Sequence, residues 1–94
     1  MNYKIILGQV HPSPNHLEME LVAAKIKEYG KFYASETLSG NRLQFQFQTY
    51  HLALWSLQYT ASWLNMKEPN SASVEIGMCK ATLVFKNSIA EISM

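Results

Sequence analysis

Three histidines and one cysteine are the residues of this chain best suited to metal binding or catalysis. His11 and His16 are separated by four residues, His51 lies farther along, and Cys79 is the only cysteine. Protein zinc sites usually use Cys-x-x-Cys or His-x-x-x-His on a helix, and neither spacing occurs here. A catalytic thiolate would need a base beside Cys79, which instead lies in strand-like sequence where cysteine is usually a small apolar side chain. We therefore predict no metal and no other cofactor.

The acidic residues, glycines and basic residues give no catalytic or phosphate-binding pattern either. All seven acids are Glu, and they are scattered, so no pair is placed for acid–base catalysis. The four glycines are isolated, which excludes a glycine-rich phosphate loop. A formal net charge of +1 disfavours a broad nucleic-acid surface. We interpret the chain as non-enzymatic. A small ferredoxin-like enzyme using a cleft His or Cys, and a nucleic-acid-binding module, are the alternatives.

The most informative segment spans residues 50–65, where two apolar stripes follow helical spacing. One stripe is aliphatic and predicts the core face: Tyr50, Ala53, Leu54, Leu57, Ala61 and Leu64. The other, here called the aromatic strip, lies roughly opposite: Leu52, Trp55, Tyr59 and Trp63. A surface helix needs one stripe to reach its core, so the second must be covered by more of this chain or by a partner. Because aromatic residues dominate interface hot spots, we predict that the aromatic strip binds another protein; a homodimer is left open.

Two further sets of residues extend this predicted binding surface. Leu17 and Leu21 lie on the side of the first predicted helix that faces away from its regular apolar stripe. In the third predicted strand, Gln44, Gln46 and Gln48 alternate with apolar residues, so one face of that strand is lined by amides. Amides offer directional hydrogen bonds to a partner without the desolvation penalty of charges.

The order of predicted elements indicates an α+β fold in a single domain, residues 1–94. Period-2 and period-3.6 patterns predict strands at 3–10, 31–38 and 42–49, helices at 14–29 and 50–65, and strands within 74–85 and 89–92. Whether 74–85 is one strand or two broken near Gly77 is left open. This order matches the ferredoxin-like (split βαβ) arrangement: an antiparallel sheet with two helices on one face, here with an extra C-terminal hairpin strand. We expect residues 89–94 to form a sheet edge.

The composition of the chain indicates its expected cellular location. A single cysteine excludes an internal disulfide and fits a reducing cytoplasm. The uncharged stretch 43–66 is interrupted by glutamines too often to be a bilayer span, so we predict a cytoplasmic protein without a membrane segment. Its size and surplus apolar helix surface are typical of small viral or mobile-element inhibitors that block a host complex, and we take that as a functional hypothesis.

Overall fold

The chain is described by a computed structural model that covers residues 2–9, 16–30, 34–39, 42–86 and 88–93. Within these residues, six strands form one antiparallel sheet and two helices accompany it, so the predicted α+β class is confirmed. In chain order the elements are β1 (Tyr3–Gln9), α1 (His16–Gly30), β2 (Ala34–Ser39), β3 (Arg42–Phe47), α2 (Tyr50–Lys67), β4 (Ala72–Ile76), β5 (Lys80–Phe85) and β6 (Ser88–Ser93).

Local chemistry fixes where α2 begins and where the C-terminal strands divide. The Thr49 hydroxyl oxygen accepts a hydrogen bond from the Leu52 backbone N–H at 3.1 Å, which caps the first turn of α2. After β4, the Gly77 N–H donates to the Lys80 carbonyl at 2.7 Å and closes a tight turn. The segment 74–85 is therefore two strands broken at Gly77.

The sheet has the strand order β2-β3-β1-β6-β5-β4. β6 lies beside β1 in the middle of the sheet, so the expectation that residues 89–94 form an edge was wrong; β2 and β4 are the outer strands in this order. In a split βαβ unit, the strand that follows the second helix pairs with the first strand. Here the strand that follows α2 is β4, and two strands, β6 and β5, separate it from β1. The ferredoxin-like arrangement is therefore not confirmed in its specific form.

The core lies between the two helices and one face of the sheet. Ile5 of β1 stands opposite Phe45 of β3 and Ile92 of β6, and all three side chains are buried. Buried residues of both helices join the same core, including Val22, Ile26, Leu57 and Leu64. Because buried strand residues share one face, both helices cover that face, as predicted.

The core face of α2 is turned slightly from the predicted one. Leu57 and Ala61 are buried as expected, but Leu54 is only half-buried. Thr60, a polar residue that belongs to neither apolar stripe, is fully buried. Its hydroxyl donates to the Ser56 backbone carbonyl one turn earlier at 2.7 Å, so the polar group is satisfied inside the helix.

Candidate protein-binding surfaces

The aromatic strip divides into a packed part and an exposed part. Leu52 and Trp63 are half-buried and pack against the core. Trp55 and Tyr59 are 41% and 46% exposed, respectively. The second apolar stripe of α2 is therefore only partly covered: Leu52 and Trp63 pack inward, and Trp55 and Tyr59 remain open.

Trp63 is held within the chain by two lysines. The Lys25 ammonium of α1 lies 4.4 Å from the centre of one Trp63 ring, and the Lys67 ammonium of α2 lies at 4.7 Å. Both distances are within the range of cation–π attraction. Lys25 also pairs with Glu28 at 2.9 Å, and its side chain is only 16% exposed. Trp63 thus ties α1 to α2.

The exposed part of the strip continues onto α1 through ring contacts. Trp55 and Tyr59 meet edge to face, with ring centroids 4.9 Å apart and planes at 89°. Tyr59 in turn contacts Tyr29 of α1, at 5.5 Å between centroids. Met66, 83% exposed, lies eleven residues beyond Trp55, or about three turns along the same side of α2. We call Trp55, Tyr59, Tyr29 and Met66 the aromatic patch.

Of the two leucines predicted to extend the surface on α1, only the side chain of Leu21 is described. Leu21 is half-buried against the core. Leu17 belongs to α1, but its side chain lies outside the described part of the chain. Tyr29, near the end of α1, supplies a ring contact to α2. An aromatic residue in the last turn of α1 is only a weak indication of a binding surface, because the sequence does not show that α2 packs beside that turn.

The predicted amide surface lies on the other side of the molecule. Gln44 and Gln46 alternate with the buried Phe45 and Phe47, so they line the face of the sheet that points away from the helices. Gln48 follows the end of β3 and is exposed. The glutamines and the aromatic patch are therefore two separate surfaces, and one flat contact cannot use both.

Lys4 and Ile6 of β1 share this open face with the glutamines, opposite Gln46 and Gln44, respectively. Glu91 of β6 stands on the other side of Ile6. The face therefore mixes amides, both signs of charge and apolar residues.

The candidate metal or catalytic residues are scattered where they are described. His51 lies exposed in the first turn of α2, and Cys79 lies exposed in the turn between β4 and β5. His11 lies outside the described residues, as does the side chain of His16. Within the described residues, no three His, Cys or Glu side chains come together to hold a metal ion. Of the described helices, none is both long and apolar enough to cross a membrane.

Comparison with known proteins gives no relative from which a site could be transferred. Neither the family models, nor the curated proteins, nor the solved structures contain a match to this chain. Functional inference therefore comes from the exposed surfaces themselves.

A further surface, which the sequence analysis missed, lies at the β4 end of the sheet. Ile76 is 61% exposed and Met78 is 96% exposed, although both are large apolar residues. Asn65 of α2 makes two hydrogen bonds to the backbone of Ala72, at the opposite end of β4 from these two residues. The apolar residues on both sides of Gly77 were the available signal, but the sequence does not show that their strand lies at the outside of the sheet.

Proposed function

We propose that this chain is a non-enzymatic protein-binding domain that docks onto another protein through its aromatic patch. The observation that carries the proposal is the exposure of Trp55 and Tyr59, which are 41% and 46% accessible although the same helix contributes buried residues to the core. Trp and Tyr are the residue types most enriched at interface hot spots. Each combines a large apolar area with one polar group that remains satisfied at a wet rim.

The geometry of the patch supports binding because the rings are already ordered. Trp55 packs on Tyr59 at 4.9 Å, and Tyr59 packs on Tyr29 at 5.5 Å. Side chains fixed before binding lose less rotamer freedom when a partner arrives. Trp63, anchored between Lys25 and Lys67, supports the inner edge of the patch without being part of its exposed surface.

The ferredoxin-like framework remains part of this proposal. β1, α1, β2, β3 and α2 follow the split βαβ order, and β6 pairs with β1 where the last strand of such a unit would lie. On this view, β4 and β5 are a hairpin added between α2 and β6. The action as a viral or mobile-element inhibitor, the cytoplasmic location and the homodimer remain predictions.

Site-specific photo-crosslinking in the cells that encode the protein tests the docking proposal. A benzophenone amino acid replaces Trp55 in one variant and Tyr59 in a second. The matched control places it at Lys4, which is exposed on the open face of the sheet, on the opposite side from the helices. We expect one partner protein to be crosslinked from the two patch positions and not from Lys4.

Three outcomes would contradict this function. Equal crosslinking from all three positions would mean non-specific proximity. A crosslinked product that contains only a second copy of this chain would show that the patch forms a homodimer and does not bind another protein. No product from either patch position, with normal melting of both variants, would remove the patch from the function.

A further inference from the structure

The outer edge of β4 carries backbone groups that point away from the sheet. Glu75 stands opposite Thr82, and the turn bond between Gly77 and Lys80 marks one hydrogen-bonded pair of the β4–β5 ladder. Hydrogen-bonded and non-bonded pairs alternate along antiparallel strands. The backbone of Glu75 therefore bonds to β5, whereas the N–H and C=O groups of the even-numbered residues Ala72, Val74 and Ile76 point outward. No strand lies beyond β4 among the described residues.

Part of this edge is already closed by a side chain. The Asn65 carboxamide donates to the Ala72 carbonyl at 2.9 Å and accepts from the Ala72 N–H at 2.8 Å. The open edge is thus reduced to Val74 and Ile76. Val74 is half-buried against the core, and Ile76 is 61% exposed next to it on the same face. The edge combines four outward backbone groups with an exposed apolar side chain.

The charge of Glu75 on β4 indicates which charge a partner segment would carry at this edge. Glu75 lies on the opposite face from Val74 and Ile76 and is exposed. Its direct neighbour on β5 is the uncharged Thr82, followed by Glu91 on β6. Within the described part of the chain, the Glu75 carboxylate makes no ion pair. A cation directly across an antiparallel pair would be favourable there.

We propose that the β4 edge binds an extended segment of another protein by antiparallel strand addition. The segment carries Lys or Arg opposite Glu75 and apolar residues opposite Val74 and Ile76. Its backbone completes the outward hydrogen bonds of those two residues, and its apolar side chains cover Ile76 on the helix side of the sheet. This surface is distinct from the aromatic patch, and the proposal stands independently of it.

A second copy of this chain fits the edge poorly. The antiparallel register that uses only the open groups pairs Val74 with Ile76 and places Glu75 directly opposite the Glu75 of the other copy. Like charges directly opposite are destabilising. A shift in one direction needs the backbone of Ala72, which Asn65 already bonds. A shift in the other direction runs past the end of β4 into the turn. The edge therefore favours a foreign basic strand over itself.

The test uses the full chain, isotope-labelled for NMR, and the terminally blocked peptide Thr-Thr-Val-Lys-Val-Thr-Thr. We expect saturable shifts of the Val74 and Ile76 amides. A peptide with Glu in place of Lys should bind about two- to five-fold more weakly, the range expected for one cross-strand pair. The Glu75→Lys variant should reverse this preference. A peptide N-methylated at both valines should not bind, because it cannot complete the ladder.

Two results would overturn the proposal. One is a peptide affinity that is the same with Lys or Glu at the central position, both for the wild type and for the Glu75→Lys variant. The other is a set of shifts that depends on protein concentration without peptide, which would show self-pairing. Trp55→Ala should bind the peptide like wild type, so failure here and failure of the aromatic patch are distinguishable.

Discussion

The Asn65 side chain at the end of α2 makes the two hydrogen bonds with Ala72 that a neighbouring strand would make. Its Nδ2 donates to the Ala72 carbonyl at 2.9 Å, and its Oδ1 accepts from the Ala72 N–H at 2.8 Å. An unprotected edge strand is a template for pairing with another chain. Asn65 therefore joins α2 to β4 and shortens the part of the edge that is open.

Asn65→Ala should weaken the fold and change its association. Two part-buried hydrogen bonds are lost, which should lower the free energy of unfolding by about 1–3 kcal/mol. The freed Ala72 backbone also allows a self-paired register centred on Val74. We expect urea denaturation to show the loss and light scattering to show concentration-dependent dimers. Gln58→Ala, a change at an exposed position of the same helix, is the control and should neither destabilise the protein nor cause dimers to form. An Asn65→Ala variant that is monomeric and fully stable would contradict both expectations.

Leu57→Ala should be among the most damaging changes in α2. Leu57 is fully buried, and its removal leaves a cavity between the helix and the sheet. We expect a loss of about 2–5 kcal/mol, a large share of the stability of a small domain. Leu54→Ala, at a half-buried position, is the matched comparison and should lose clearly less. Chemical denaturation that ranks Leu54 above Leu57 would mean that the helix is turned differently.

Much of the fold was predictable because it depends on local periodicity, but the strand order was not. Phe45 and Phe47 alternate with glutamines, so their burial follows from period 2 alone. The pairing of β6 with β1 is a contact between distant segments, and β4 has similar composition, so nothing local decides which strand lies beside β1. The exposed half of the aromatic strip was unpredictable for a similar reason, since the position of α1 determines how much is covered.

Thr60→Val should be nearly neutral, although it removes a hydrogen bond. The Thr60 hydroxyl donates only to the Ser56 carbonyl, which as a helical acceptor also bonds the backbone N–H of residue 60. Valine has a similar shape, so no cavity forms, and we expect a change within about 1 kcal/mol in thermal or chemical unfolding. Thr60→Ala, which does leave space, should be the more destabilising of the two. A severe loss in the valine variant would indicate that the hydroxyl stabilises more than its own turn.

The Lys25–Trp63 contact should contribute measurably to the docking of α1 on α2. The ammonium lies 4.4 Å from one ring of Trp63 and its side chain is mostly buried, so the attraction is less screened than at the surface. A double-mutant cycle of Lys25→Met and Trp63→Leu should give a coupling free energy of about 0.5–2 kcal/mol. The same cycle with Glu28→Gln in place of Trp63→Leu should give less, because that pair has one exposed partner. A coupling near zero in the Lys25–Trp63 cycle would mean that the ring interaction adds nothing.

Trp55→Ala should separate binding from stability. Trp55 is 41% exposed and packs edge to face on the Tyr59 ring, so its loss should lower the free energy of unfolding by no more than about 1 kcal/mol. A hot-spot Trp truncated at an interface typically costs about 2 kcal/mol or more of binding free energy, enough to weaken a complex by more than tenfold. Trp63→Ala is the matched contrast, since Trp63 packs against the core and bridges two lysines; it should melt at a clearly lower temperature. Melting curves and binding to the crosslinked partner, measured on both variants, decide the matter. A Trp55→Ala protein that melts as low as Trp63→Ala would identify the patch as part of the structural core and leave it no role in docking.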